Sequence, residues 1–436
     1  MYGLYGALLR LAWAFALPYQ IVIAFVSGRK RPGLAERLGL HGEGATPRPG
    51  GLWVHAVSVG EVRLALPLLA RLRDLQPGLP LHLTTSTATG RALADQAQGG
   101  GSAARPDSTS ALPFDLPASM GRLLDRLRPR AVLIVETEIW PNLLRLCDRR
   151  SIPVILVNGR ISPRAYARYR AVRFFLRRAL EAIHLFAMQS EEDAARIRTL
   201  GAPPTRVRVT GNLKFDLPLP DVSGAAIRAR IGLGADEPLF VAGSTAPGEE
   251  RPVLEAFRAL RGHDPRVRLV LAPRHPERFA RAEEALRAAG LTVGTWSRPG
   301  TVWDALLVDV VGVLPSIYAA ADLVFVGGSL VPRGGQNILE PAALGRPVLF
   351  GPHMENFRAA ARSLVEGGGG FVARDGPELA RIATRLMADP DERARVSDRA
   401  RRAVEANRGA LERTLQAIAS TLAPRRDLPR VAPART

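Results

Sequence analysis

The sequence predicts an α/β protein of two doubly wound, Rossmann-like domains in tandem, preceded by an apolar membrane-anchor helix. Three observations predict it. The chain has 436 residues, more than one hydrophobic core usually organises. From residue 51 onward, short apolar runs alternate with amphipathic stretches, the rhythm of parallel strands and their crossover helices. Midway, Leu217-Pro218-Leu219-Pro220-Asp221 breaks that rhythm, which then restarts. With 47% hydrophobic and 23% charged residues the composition is globular rather than disordered. The expected organisation is an anchor over 1–28, a first domain over 29–220, a second over 221–424 and a tail over 425–436.

In chain order, the first 26 residues hold one charge, Arg10, and match the roughly 20 apolar residues of a bilayer span. Pro18 and Gln20 leave open whether the segment spans or lies in one leaflet, and a buried helix of the first domain is the alternative. Arg29, Lys30, Arg31 and Arg37 follow the apolar run, which places the rest of the chain on the cytoplasmic side. No basic residues precede that run and no small-residue cleavage site follows it, so it is not a secretory signal. Strands are expected at Leu52–Val57, Leu81–Thr85, Ala131–Val135, Pro153–Val157, Leu185–Met188 and Val207–Thr210. After the break they are expected at Leu239–Ala242, Arg268–Ala272, Leu291–Thr295, Leu323–Val326 and Pro347–Phe350. Several do not alternate polar with apolar, as strands covered on both faces do not. Helices are expected between them, as at Val62–Leu72 and Gly121–Leu127, and again from about Asp391 to Leu422.

The net charge of +19 draws a protein toward nucleic acid, anionic lipid or phosphorylated substrates. Lys30 and Lys214 are the only lysines, and the arginines that carry the rest of the charge are scattered. No zinc-finger spacing or aromatic RNA-binding signature accompanies them, so nucleic acid is not an expected partner. The single cysteine, Cys147, permits no intramolecular disulfide and fits a reducing compartment. No G-x-G-x-x-G follows a strand, which disfavours a dehydrogenase. No Asp-x-Asp pair or His cluster points to a metal.

In open α/β sheets ligands gather beyond the carboxyl ends of the strands, so the residues just after each apolar run carry the functional reading. His55-Ala56-Val57-Ser58-Val59-Gly60-Glu61 places Glu61 in the first turn of a helix, as a general base or as a carboxylate that complements the helix dipole. The hydroxyl run Thr84-Thr85-Ser86-Thr87-Ala88-Thr89-Gly90 suits sugar or phosphate, or N-capping. Val135 runs straight into Glu136, a carboxylate at the ligand edge that needs a partner if buried; a structural ion pair is the alternative. Lys214, in Gly211-Asn212-Leu213-Lys214-Phe215-Asp216, is a cation for phosphate or carboxylate, or a solvated loop lysine. Beyond the break, Gly243–Glu250 is a strand-to-helix turn able to cradle phosphate with backbone N–H groups, and Pro273-Arg274 supplies a cation. Gly327-Gly328-Ser329, Arg333–Pro341 and Gly351-Pro352-His353 form a glycine-rich bend with one acid, Glu340, for ribose hydroxyls. The stretch Arg160–Arg178 mixes arginines with aromatics, as a lipid-facing patch or an amphipathic helix with a solvated basic face.

Taken in order, HAVSVGE, TTSTATG, LPFDLP, VETEIWPNL, NGRIS, GNLKFD, GST-x-x-GEE, PRHPERF, FVGGSLVPRGGQN-x-LEP and FGPHMENF make the chain resemble the 3-deoxy-D-manno-oct-2-ulosonic acid (Kdo) transferases over nearly its whole length. The resemblance implies the two-domain GT-B fold with a cleft between the domains, at the cytoplasmic face of the bacterial inner membrane. It implies an inverting transfer of Kdo from CMP-Kdo to the tetraacylated lipid A precursor, lipid IVA, with inner-membrane lipid as a further partner and no cofactor besides the donor itself. By resemblance Glu61 is the proton acceptor, Glu136 and Lys214 stabilise the transition state, and Glu138 assists. Pro273, Arg274, Val311, Gly312, Val313, Asn337, Ile338, Leu339 and Glu340 fall at CMP-binding positions. Two departures stand out. Asp309-Val310-Val311-Gly312-Val313-Leu314 stands where the family usually reads D-T-M-G-E-L, so Val313 replaces a carboxylate, and Gln336-Asn337-Ile338 replaces H-N-P. A transferase using another nucleotide sugar, or a silent membrane-bound nucleotide-binding homologue, are the competing readings.

Overall fold

Apolar runs covered on both faces become central parallel strands, and every run expected to be a strand forms one. The structure, a computed structural model, describes residues 34–40, 47–100, 105–300 and 302–423. The expected anchor over 1–28 and tail over 425–436 lie outside the described residues. Among those described, no helix is long and apolar enough to cross a membrane.

The chain divides into two compact units, one comprising residues up to Leu217 together with the chain from Gly409, the other Pro218–Arg408. The break at Leu217/Pro218 falls at the proline-rich segment. The far boundary differs from expectation, because helix Ala410–Leu422 belongs to unit 1 rather than ending the second domain. Its Leu415 and Ile418 enter the core that holds Leu64 and Leu68 of helix Val59–Leu75. Asp216 fixes its start, accepting the Gly409 N–H at 2.8 Å and the Leu411 N–H at 2.6 Å. Gly409 adopts φ +87° there, the left-handed conformation glycine takes without steric penalty.

Unit 1 is built on a seven-stranded parallel sheet. Its strands are β1 (Leu52–His55), β2 (Leu81–Thr85), β3 (Ser108–Ala111), β4 (Ala131–Val135), β5 (Val154–Gly159), β6 (Leu185–Met188) and β7 (Val207–Val209). The order is β3-β2-β1-β4-β5-β6-β7. Alternate residues feed separate cores on the two faces: Trp53, Val132, Ile134 and Leu156 on one side, Val54, Leu133, Ile155 and Val157 on the other. The chain winds outward from β1 through β2 to β3, then resumes on the other side of β1 with β4. The β1/β4 boundary is therefore the topological switch point, where the loops after adjacent strands diverge and leave a crevice.

Unit 2 repeats the plan with β8 (Leu239–Thr245), β9 (Arg268–Pro273), β10 (Val293–Thr295), β11 (Ala305–Leu307), β12 (Leu323–Val326), β13 (Val348–Phe350) and β14 (Gly370–Val372). Its seven-stranded order is β10-β11-β9-β8-β12-β13-β14, with every pairing parallel. The switch point lies between β8 and β12. Phe240, Leu269, Leu307, Phe325 and Leu349 face one core. β3, β11 and β14 were not expected from the sequence.

Candidate active site

At the switch point of unit 1, helix Val59–Leu75 starts directly after β1, and Glu61 folds back over its own N-terminus. Val57 N–H donates to Glu61 Oε2 at 2.7 Å and Ser58 Oγ donates to Oε1 at 3.1 Å. The carboxylate thus helps close the turn, yet its proton is held unusually tightly. Burial pushes its pKa up to about 7, and the nearby charges of Glu136 and Glu138 push the same way against the two hydrogen bonds.

Glu136 follows β4 across the same crevice. It sits at φ +61°, a strained region for a side chain of this size, and its N–H is held by Val157 O at 2.8 Å. Its carboxylate is clamped by Lys214 Nζ at 3.1 Å and Arg160 Nε at 3.0 Å. Burial alone would raise its pKa, but the two cations outweigh that and hold it below the usual carboxylate range. Among the described residues no cation clamps Glu138; burial and the charge of Glu136 raise its pKa. Arg160, expected on the basic aromatic face, is instead the second partner of Glu136.

Buried polar residues place these groups. Asn158, at φ +56° and fully buried, accepts the Leu213 N–H at 2.9 Å, and Asn212 Oδ1 accepts the Lys214 N–H at 3.0 Å, which sets the turn Leu213–Asp216. Asp115 of LPFDLP accepts the N–H groups of Asn142 and Leu143 at 3.0 and 2.8 Å, pinning helix Pro141–Arg149 just beyond Glu136–Trp140. Two hydroxyls of the run bond within the protein: Thr87 Oγ1 caps helix Ala88–Gly99 by accepting the Gly90 N–H at 3.1 Å. Thr84 Oγ1 accepts Trp53 Nε1–H at 2.8 Å and lies 2.9 Å from His55 Nδ1. Burial drives the His55 pKa down to about 4, so this imidazole is neutral at pH 7.

In unit 2 the expected phosphate cradle is organised by a carboxylate that sequence reasoning did not single out. Glu249 is fully buried. Its Oε2 accepts the N–H groups of Ala246 (2.8 Å) and Gly328 (2.6 Å), and its Oε1 those of Ser329 (2.9 Å) and Leu330 (2.8 Å). The Gly248 N–H is bound by Glu250 Oε2 at 3.1 Å. The amides of Ala246, Gly248 and Gly328 are therefore engaged within the protein instead of turned to a ligand. The signal was the GEE motif itself, an acid placed to reach the neighbouring strand's loop.

Of the other residues expected in unit 2, Pro273 is buried and Arg274 is exposed beyond β9, with the Arg274 N–H donating to Thr245 O at 3.0 Å. Val311 is exposed, Gly312 has φ +97° with open space at its Cβ position, and Val313 is half-buried at the start of helix Leu314–Tyr318. Asn337 Oδ1 accepts the Leu339 N–H at 3.1 Å while its Nδ2–H donates to Glu340 Oε1 at 3.0 Å. Ile338 and Leu339 are in the core, so these two positions can meet a ligand only through their main chain. Among the described residues no group of three or more His, Cys, Asp or Glu side chains is gathered to hold a metal ion.

The family model for the 3-deoxy-D-manno-octulosonic-acid transferase (kdotransferase) N-terminal region matches residues 32–217. The chain is 40% identical over 374 residues to a 3-deoxy-D-manno-octulosonic acid transferase of Bordetella pertussis, covering 84% of this chain and 86% of that protein. The chain belongs to the Kdo transferase family. A Haemophilus influenzae member is 35% identical over 421 residues, 95% of this chain and 97% of its own. As a Kdo transferase the chain is a glycosyltransferase. Among solved structures, a Neisseria meningitidis UDP-GlcNAc 2-epimerase bound to UDP-GlcNAc matches with TM-score 0.59 at 14% identity, over 85% of this chain and all of that one. That likeness gives the Kdo transferase a GT-B-like fold of two parallel-sheet α/β domains.

Proposed function

We propose that this Kdo transferase moves Kdo from CMP-Kdo to the lipid A precursor, lipid IVA, with inversion, and that Glu61 is its base. The observation that carries the reading is the pairing at the first switch point. There a carboxylate with a pKa near 7 stands beside a second one kept ionised by two cations. Two acids driven apart by their surroundings are the mark of divided acid–base roles. Glu61 takes the proton of an acceptor hydroxyl as its oxygen attacks the anomeric carbon; the bond to phosphate breaks and CMP leaves with the electron pair. Glu136 stabilises the electron-poor sugar in the transition state, with Lys214 holding it in place. Arg274 neutralises the departing phosphate, and Asn337 with Glu340 holds the ribose. At Val313 no carboxylate assists.

The reading extends to the membrane. Residues 1–28 anchor the protein at the cytoplasmic face of the inner membrane. The exposed Val172 and Phe174, with Arg168, Arg170, Arg173 and Arg178 around them, form a basic apolar face suited to anionic headgroups. The test is turnover by purified protein of CMP-Kdo with tetraacylated lipid A precursor, followed by mass spectrometry of the lipid. Product heavier by whole Kdo units supports the reading. Absence of product, or equal turnover with a UDP-sugar, overturns it.

A further inference from the structure

We infer that Arg160 receives the carboxylate of the sugar acid being transferred, and so selects ulosonic acids over neutral sugars; this rests on the transfer of Kdo proposed above. Arg160 stands immediately after β5, one strand from Glu136. Its Nε–H donates to Glu136 Oε2 at 3.0 Å. Among the described residues Nη1 and Nη2 have no hydrogen-bonding partner, and a third of the side chain is exposed. A guanidinium tethered through Nε keeps its end-on edge, two parallel N–H donors that match a carboxylate in bidentate fashion. The edge is held before any ligand arrives. Thr137 Oγ1 donates to Arg160 O, and the next residue is fixed by Ile161 N–H donating to Asp193 Oδ1 at 2.7 Å. Such preorganisation lowers the entropy lost on binding.

The chemistry of the substrate requires a cation at this place. A 2-ulosonic acid carries its carboxylate on the anomeric carbon itself, so that charge must come within a few ångströms of the reacting centre. The crevice already holds Glu61, Glu136 and Glu138, and burial first, with the charge of Glu136 adding to it, raises the pKa values of Glu61 and Glu138. A further carboxylate there needs its own counter-charge. Of the two cations that hold Glu136, Arg160 is the one whose Nη donors no described residue fills. Its fork also fixes the rotation of the sugar about the anomeric carbon, which sets the face open to attack.

The test compares CMP-Kdo with its C1 carboxamide, a neutral isostere, in the full-length enzyme and in Arg160→Met. The ratio of kcat/KM for acid over amide is expected to fall by about tenfold or more in the variant, the scale of a lost charged hydrogen bond. Inhibition by CMP, which has no carboxylate, and the KM for the lipid acceptor are expected to stay unchanged. An undiminished acid-to-amide ratio overturns the inference, as does a rise confined to the acceptor KM, which would assign Arg160 to a lipid phosphate. If Arg160→Met does not fold, Arg160→Gln, which keeps a donor toward Glu136, carries the same expectation. Wild-type turnover of CMP-Kdo is measured first: its absence overturns the proposed function, whereas turnover with an unchanged ratio overturns only the role of Arg160.

Discussion

Glu61 and Glu136 are chemically identical side chains beyond neighbouring strands, and their surroundings send them in opposite directions. Glu136 meets two cations, whereas Glu61 meets one backbone amide, one hydroxyl and two like charges. The consequence for rate has a definite sign. A base works as the carboxylate, so transfer is expected to rise with pH through about 7, where Glu61 loses its proton, and to fall below it. Glu61→Gln should lower turnover by about 100-fold or more and abolish that limb of the pH–rate profile while leaving CMP affinity unchanged. A limb retained in the variant would assign it to another group. The places of Glu61 and Glu136 beyond β1 and β4 were legible because strand ends can be found from apolar runs. The Arg160–Glu136 contact was not, because it joins residues 24 apart and depends on β4 lying beside β5, an adjacency no local pattern encodes.

At the scale of elements, Glu249 acts as a splice between the turn after β8 and the loop after β12. Replacing it by alanine leaves four N–H groups, three of them buried, without their acceptor. Each unsatisfied donor costs about 1–3 kcal/mol, so Glu249→Ala is expected to destabilise the protein by about 4 kcal/mol or more and to weaken CMP binding. Urea unfolding and titration with CMP measure both; a stability within 1 kcal/mol or so of wild type would show that water replaces the carboxylate. The strands that escaped the sequence have physical reasons for doing so. β3 reads Ser-Thr-Ser-Ala, and its serine hydroxyls lie 2.7 and 2.9 Å from the two ring nitrogens of His82. This edge strand therefore satisfies polar groups where an apolar run would have announced it. β11 and β14 are three residues each, too short for any periodicity, and β14 emerges from a glycine run that reads as a turn.

For the whole molecule, the two-unit plan and the break near residue 217 were legible in the restart of the strand rhythm, but the return of the last helix to unit 1 was not. An amphipathic helix states that it needs a partner surface without stating which one. Truncation after Arg408 removes Leu415 and Ile418 from the unit 1 core. The loss is expected to appear in hydrogen exchange as faster opening of β1, β4 and helix Val59–Leu75, with the core strands of unit 2 unaffected. Equal loosening of both units would mean that they unfold as one. The proposed membrane attachment would combine residues 1–28 with a basic face on unit 1. Deletion of 1–28 should release much of the protein from membranes, leaving a residual binding to anionic vesicles that fades with added salt. Salt-independent sedimentation of the shortened protein would count against the basic face. The discontinuity of unit 1 also orders events at the ribosome. Unit 2 is one uninterrupted stretch, Pro218–Arg408, while unit 1 needs helix Ala410–Leu422 to close its core. The sheet of unit 1 is therefore synthesised before its neighbour but completed after it, waiting through the synthesis of unit 2 for helix Ala410–Leu422.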